Sequence, residues 1–257
     1  MTVNTKGRFA GKECVVTGGA SGIGLETASL FAREGGTVTI LDMDVARCDS
    51  ALKVLNEISD AGHRTFVLDL TSGEKVSEMA VALRKVSPTT DVLINCAAIA
   101  APGPITGWFL TMEESQWRPL LEVNFVAHVR VLQALLPGML DLPNGSSVVN
   151  VISDSYLGYD KQLAMYGAGK AALASLTKTI ARELGSKGVR VNGVSPSATS
   201  TPSTSEWLDK HQERIVKMYP LGRIGEGIDQ ANAIAFLASN DSAWITGQIL
   251  SVNGGFL

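Results

Sequence analysis

The sequence predicts a doubly wound α/β fold, a parallel sheet with helices on both faces, formed by one domain spanning residues 1–257. Three observations carry that expectation. Short apolar runs alternate with segments of helical length along the whole chain, as in a sheet buried on both faces. The first run leads straight into a glycine-rich turn and a helix. Hydrophobic residues make up 45% and charged residues 18%, which suits a substantial core and excludes disorder.

Residues 13–17 (ECVVT) form the first expected strand, which runs into Gly18, Gly19, Ala20, Ser21, Gly22, Ile23 and Gly24 and then a helix over 25–33. Strand, glycine turn and helix together aim backbone N–H groups at a phosphate. Gly18 suits the tight turn, Gly22 lets a pyrophosphate approach, and Gly24 lets helix and strand pack closely. An ordinary glycine-rich turn is the competing explanation. The second strand, 37–41, ends in Asp42, 18 residues beyond Gly24, where a carboxylate can accept hydrogen bonds from both hydroxyls of an adenosine ribose. The same charge repels a 2′-phosphate. No Arg or Lys lies between Gly18 and Gly24 or directly after Asp42, where Met43 and Asp44 follow, so NAD is favoured over NADP. Alternatively Asp42 caps the next helix, 45–61, a role for which Asp44 competes.

Residues 64–68 supply the third strand, closing on Asp69, and 72–86 a helix. Residues 91–95 (DVLIN) are the fourth strand, followed by Cys96, Ala97, Ala98 and a long loop. A helix is expected from about 112 to 136, carrying Asn124. The fifth strand, 147–152, delivers Ser153 at its C-terminal end, where open α/β sheets bind ligands. Residues 189–194 form the sixth strand; after Pro196 come an irregular stretch to Ser205, helices over 207–219 and 225–238, and a last strand over 247–252.

Between the fifth and sixth strands, Tyr166 and Lys170 stand four residues apart in an Ala-rich helical segment, so their side chains share a face one turn apart. A phenol of pKa about 10 is a poor base at neutral pH and needs a shift of roughly 2–3 units. A positive charge about 5 Å away at an effective dielectric of about 20 is worth roughly 3 kcal/mol, the right size. A chance surface pair is the competing explanation for Tyr-x-x-x-Lys taken alone.

The formal net charge of −3, from 22 basic and 25 acidic residues with no Lys/Arg block, argues against nucleic acid or a membrane surface as partner. Cys14, Cys48 and Cys96 form no CxxC pair and have no His at ligand spacing, so no metal site is expected. With no signal-like N-terminus and no apolar run of about 18 residues, the expected location is cytoplasmic.

Over essentially its whole length the chain resembles the short-chain dehydrogenase/reductase family. The resemblance rests on the stretch from Thr17 to Gly24, Asn95 through Ala98, Asn124, Ser153, Tyr166 with Lys170, and Pro196 with Thr201. It implies a Rossmann-type fold with a seven-stranded sheet and a catalytic tetrad of Asn124, Ser153, Tyr166 and Lys170. In that family pattern Tyr166 moves the proton, Ser153 hydrogen-bonds the substrate oxygen, Lys170 depresses the tyrosine pKa and holds the nicotinamide ribose, and Asn124 holds a relay water. The resemblance also implies cofactor contacts from Gly18, Ser21, Gly22, Ile23, Gly24, Asp42 and Met43, from Asp69 and Leu70 around the adenine, from Asn95 and Ala97 on the adenosine side, from Pro196 and Thr199, and from Thr201 at the nicotinamide carboxamide. Asn95 has an alternative role in bonding the sheet. Four departures from the family pattern stand out: Cys96, Ala98, Ser197 and Asn253. Ala98 is the one expected to cost cofactor affinity, if its position needs a positive φ or a close approach.

Substrate is expected to enter between 98–112, 153–165 and 197–219, with a substrate loop over about 197–220. These stretches supply Trp108, Phe109, Met112, Tyr156, Met165, Trp207 and Tyr219, a lining suited to a medium-sized, partly apolar secondary alcohol or ketone, cyclic ones included. Core or subunit packing is the competing role for these aromatics. Rival functions are a ketoacyl-thioester reductase of the same family and a non-catalytic dinucleotide-binding protein. Ala164, Ala168, Ala172 and Leu176 add an apolar face that suits a homo-oligomer, tetramer or dimer.

Overall fold

The computed structural model describes residues 7–99 and 106–256. Residues 100–105 of the expected substrate-entry stretch 98–112, and the first six residues read for a signal, lie outside the described residues.

Nine strands are described: β1 (Glu13–Thr17), β2 (Thr37–Asp42), β3 (Arg64–Val67), β4 (Val92–Asn95), β5 (Ser146–Val151), β6 (Val189–Pro196), β7 (Thr199–Ser200), β8 (Gly225–Glu226) and β9 (Ile249–Val252). β7 and β8 pair only with each other. The other seven form one parallel sheet in the order β3-β2-β1-β4-β5-β6-β9. The order reverses between β1 and β4, where Thr17 and Asn95 stand in register at the C-terminal ends. Open α/β sheets bind ligands in the crevice outside that point.

Side chains alternate across the strands, which is why two cores exist. Cys14, Val16, Val38, Ile40, Ile94 and Val149 face α1 (Gly22–Arg33) and α2 (Val45–Ile58). Val15, Leu41, Leu93, Val148 and Val191 face α3 (Gly73–Val86) on the other side. The remaining helices are α4 (Glu114–Leu121), α5 (Ala127–Leu135), α6 (Ala164–Leu184), α7 (Ser205–Val216) and α8 (Gly227–Ala238). α5 and α6 join α3 on its face, and α8 packs with α1.

Several boundaries differ from expectation for identifiable reasons. α2 stops at Ile58 instead of 61 because Ser59 turns extended and its hydroxyl pairs with His63 Nε2 at 2.9 Å. The single helix expected over 112–136 is broken into α4, a π turn over Glu122–Val126 and α5. Pro119 sits inside α4, and Ala127 N–H skips one residue to bond Glu122 O. Asn124 therefore projects from a widened turn. The stretch Glu114–Gly138 is long enough to cross a membrane and reaches a mean hydropathy of 1.2, although no uninterrupted apolar run is present. Its Leu120, Ala127, Val131, Leu132 and Leu135 are buried inside the fold. The expected helices over 207–219 and 225–238 are Ser205–Val216 and Gly227–Ala238, with Gly225 and Glu226 spent on β8.

Candidate active site

The crevice is built around the turn after β1. Gly18 adopts φ +61°, and a Cβ there would lie 2.8 Å from Ala97 Cα, so only glycine lets this turn touch the segment after β4. Thr17 Oγ1 accepts from the N–H groups of both Cys96 (2.9 Å) and Ala97 (3.1 Å), fixing that segment as a ledge. Ser21 precedes α1 with no side-chain cap, which leaves the first-turn N–H groups of Gly22, Ile23 and Gly24 to an outside acceptor. Thr201 lies across from Gly22, within 3.3 Å of where a Cβ would be, so the segment after β6 and Pro196 closes over the start of α1.

Asp42 ends β2 beside this turn. Its Oδ1 accepts from the N–H groups of Met43 (2.8 Å) and Asp44 (3.2 Å), and its Oδ2 from Ala20 N–H (3.3 Å). Asp44, not Asp42, caps α2, by accepting from Arg47 N–H at 3.0 Å. Met43 is exposed, and Leu70 is buried beside exposed Asp69 at the end of β3. Asp69 Oδ1 accepts from Thr71 N–H and Oγ1, which hold its pKa below the ordinary carboxylate value.

Asn95 is fully buried and ties the sheet: its Nδ2 donates to Asn150 Oδ1 at 2.8 Å, and Asn150 donates on to Thr177 Oγ1 at 2.8 Å. Thr199, expected among the cofactor contacts, is spent elsewhere. It is buried, donates to Ser197 O at 3.0 Å and accepts from Gln230 Nε2 at 3.2 Å, which joins β7 to α8.

The four candidate catalytic residues converge from the π turn, the end of β5 and α6. Asn124 is fully buried and donates from Nδ2 to Ile99 O at 3.3 Å, leaving Oδ1 without a partner among the described residues. Ser153 begins a 3-10 turn over Asp154–Leu157 and accepts from Ser155 N–H at 3.4 Å. Gly167 lets α6 lie on that turn, since a Cβ would come 2.6 Å from Ser155 O. Tyr166 and Lys170 then stand one turn apart, with Lys170 Nζ 6.0 Å from the phenol ring centroid. Lys170 Nζ donates to Val151 O at 2.8 Å.

This arrangement corrects the expected electrostatics. Burial raises the Tyr166 pKa above 10, the Ser153 hydroxyl pulls it down, and the negative charge of Asp160 pushes it further up. The net shift is upward despite the nearby Lys170, whose own pKa falls to about 8 by burial. Proximity in sequence gave the charge but not the desolvation, which acts on both groups.

The departures from the family pattern are accommodated. Among the described residues Asp141 and Gln162 are the non-glycines at positive φ, so Ala98 carries no such strain. Ser197 pairs with Tyr219 Oη at 2.7 Å, and Asn253 donates to buried Asp154 at 2.8 Å. Tyr219, expected in the substrate lining, instead packs with Leu208 and Ile215 in a small core. Trp108 and Phe109 are exposed, Trp207 stacks on His211, and Met112, Tyr156 and Met165 are half-buried. Two residues that sequence reasoning passed over are Asp160, which accepts from Ser155 Oγ at 2.5 Å, and His128, one turn beyond Asn124. The His-after-Asn spacing was a visible signal for the second.

A family model described as enoyl-(acyl carrier protein) reductase matches residues 18–257. The chain belongs to the short-chain dehydrogenase/reductase family. Among similar proteins, a 3-oxoacyl-(acyl-carrier-protein) reductase of Thermotoga maritima is 34% identical over 250 residues, covering 97% of this chain and 99% of that protein. A 2-keto-3-deoxy-L-fuconate dehydrogenase of Xanthomonas campestris is 34% identical over 263 residues, covering 99% of this chain and 82% of its own. A solved structure titled as a short-chain dehydrogenase/reductase family protein superposes with a TM-score of 0.85 at 34% identity, covering 96% of this chain and 98% of that one. As a short-chain dehydrogenase/reductase the protein is an oxidoreductase that uses a nicotinamide dinucleotide and acts on a small molecule. Its crevice suits that cofactor: the uncapped start of α1 leaves N–H groups for a pyrophosphate, and the buried Oδ1 of Asn124, without a partner among the described residues, calls for a donor.

Proposed function

We propose that the protein is an NAD-dependent dehydrogenase of a medium-sized, partly apolar secondary alcohol, cyclic alcohols included. The observation that carries the cofactor choice is the Asp42 carboxylate, held by three backbone N–H groups beside Ala20 of the glycine turn. A 2′-phosphate about 4 Å from it would meet a repulsion of about 4 kcal/mol at an effective dielectric of about 20. Arg47, a nearby cation on α2, is already paired with Asp44 at 3.4 Å.

In this reading Gly18, Ser21, Gly22, Ile23 and Gly24 hold the pyrophosphate, Asp42 and Met43 the adenosine ribose, and Asp69 and Leu70 flank the adenine. Ala97, with Asn95 bonded into the sheet beneath it, lies on the adenosine side, and Pro196 and Thr201 line the nicotinamide half. The bound nicotinamide supplies a hydride acceptor at C4. Ser153 donates a hydrogen bond to the substrate oxygen, Tyr166 takes its proton, Lys170 holds ribose and phenol in one frame, and Asn124 Oδ1 accepts from a relay water. Burial keeps the phenol protonated at neutral pH, so oxidation accelerates on the alkaline side. Tyr156, Met165 and Trp207 offer an apolar lining, and the exposed carboxylate of Asp160 favours a neutral alcohol over an anionic one. The apolar, outward residues Ala164 and Ala168 of α6 suit a homo-oligomer, which light scattering at micromolar concentration tests.

The likeness to the Thermotoga maritima reductase favours a second reading, reduction of a 3-ketoacyl thioester, which would normally take NADPH. Parallel fluorescence titrations with NADH and NADPH, with Asp42→Ala beside the wild type, separate the two. Tight NADH binding that the substitution weakens, followed by turnover of cyclic secondary alcohols with NAD, is expected; preference for NADPH with turnover of ketoacyl thioesters overturns it.

A further inference from the structure

The ledge after β4 is gripped from two sides. Thr17 holds its N–H groups, as described above, and two side chains of the opposing helix hold its carbonyls. His128 Nε2 bonds Ala97 O at 2.7 Å, one turn beyond Asn124, whose Nδ2 bonds Ile99 O at 3.3 Å. Carbonyls two residues apart on an extended segment point the same way, so the pair fixes one edge of the ledge. The opposite side of Ala97 is in contact with Gly18, which places this backbone at the floor of the crevice.

His128 is 1% exposed, and the chemistry of its contact defines its state. Ala97 O can only accept, so Nε2 carries the proton and Nδ1 is left as an acceptor. Nδ1 has no partner among the described residues, nor have Asn124 Oδ1 and Asn95 Oδ1 around the same ledge. A nonpolar core side chain would fill this volume without such demands; a buried imidazole there has to be held by the bond it makes. Burial and the nearby Lys170 charge keep the ring neutral, with a pKa of about 3.

We propose that His128 is a positioning residue for the dinucleotide: by donating from Nε2 to Ala97 O, it sets the height of the ledge against which the cofactor rests. The inference rests on the reading of the crevice as a dinucleotide site, and it concerns a residue outside the tetrad. Losing the bond frees Ala97 to drop or tilt, and the cofactor loses a fitted surface while the sheet beneath stays intact.

The test is NADH titration of wild type, His128→Phe and His128→Gln, with melting temperature recorded for each. The phenylalanine keeps the volume and removes the donor; the glutamine keeps a donor for Ala97 O. His128→Phe is expected to bind NADH about ten- to a hundredfold more weakly, with KM for the dinucleotide rising more than kcat falls, and His128→Gln to recover most of the loss. A folded His128→Phe that binds within about threefold of wild type overturns the proposal, because a purely structural histidine would alter melting and leave affinity alone. Nitrogen-15 histidine spectra of the wild type decide the case if His128→Phe does not fold. An Nε2–H tautomer that shifts on NADH addition is expected; an Nδ1–H tautomer, or a ring signal unmoved at saturation, overturns the proposal. Failure of the wild type to bind either dinucleotide would instead overturn the functional reading, and this inference with it.

Discussion

Asn253→Asp should convert a stabilising contact into a pH-dependent fault beneath the candidate site. Asp154 is 4% exposed and has its two oxygens shared between Ser195 Oγ, donating at 2.7 Å, and Asn253 Nδ2, donating at 2.8 Å. The contact anchors the turn that begins at Ser153 to β6 and to the segment after β9. An aspartate at 253 replaces the donor by an acceptor of like charge. With charge centres about 4 Å apart and an effective dielectric of about 20, the repulsion is about 4 kcal/mol. The escape is to keep one proton on the pair. At pH 7, about three units above an ordinary carboxylate, that costs about 4 kcal/mol, less about 1–2 kcal/mol for the O–H···O bond it makes. Both routes give a loss of about 2–4 kcal/mol at pH 7.

The proton route fixes the sign of the pH dependence. The folded variant holds a proton that the unfolded chain releases above about pH 4, so its stability falls as pH rises from there. Urea unfolding at pH 5 and pH 7 measures the difference from wild type at each pH. A deficit of about 1 kcal/mol or less at pH 5 that grows by at least 1 kcal/mol at pH 7 is expected. The double substitution Asp154→Asn with Asn253→Asp restores one donor and one carboxylate, and should recover most of the loss. A deficit equal at both pH values, or no deficit at pH 7, would refute the reasoning.

Tyr166→Phe should reduce turnover by at least about a thousandfold while leaving NADH affinity within a few-fold, measured by initial rates and fluorescence titration, since only the proton-transfer group is lost. Asp160→Asn removes a charge that raises the Tyr166 pKa, so the alkaline-rising limb of the oxidation rate should move to lower pH in a pH–rate profile. For stability, His128 has a folded pKa of about 3 against an ordinary 6.5, so its contribution is complete above about pH 6.5 and is lost as pH falls toward 3. At pH 5 that amounts to about 2 kcal/mol, and a folded His128→Gln should show a correspondingly shallower loss of urea stability between pH 7 and pH 5.

The parts of the fold that sequence made legible are those governed by period and by backbone chemistry. Cys14, Val15 and Val16 had to face alternate sides of a sheet, and Gly18 had to make a tight turn before a helix; both appear in the structure. Asp42 and Asp44 were rival caps, and the bond from Arg47 N–H to Asp44 leaves Asp42 facing the glycine turn. What stayed hidden depends on packing between distant segments. The π turn that carries Asn124 lies against Gly169 of α6, and no local period announces it. Tyr219 reads equally well as pocket or core until Ser197 and Ala198 are seen bonding its hydroxyl, at 2.7 and 3.0 Å. The Tyr166–Lys170 spacing revealed the charge pair but could not reveal burial, which reverses the direction of the phenol's shift.

Ser153 shows why a structural and a chemical explanation of one residue need not compete. Its oxygen accepts from Ser155 N–H at 3.4 Å, the ordinary work of a serine before a turn. That bond uses a lone pair and leaves the hydroxyl proton to be given away. Ser155 in turn gives its own proton to Asp160 at 2.5 Å, so its oxygen, 3.3 Å from Ser153 Oγ, can only accept. The sequence of donors is thereby directed: Ser153 donates, Ser155 relays, Asp160 terminates. A substrate oxygen arriving beside Tyr166 competes for the Ser153 proton against a neutral acceptor at long range, a contest that a shorter bond wins. The cap orients the donor, and the carboxylate ensures that the donor faces a weak rival.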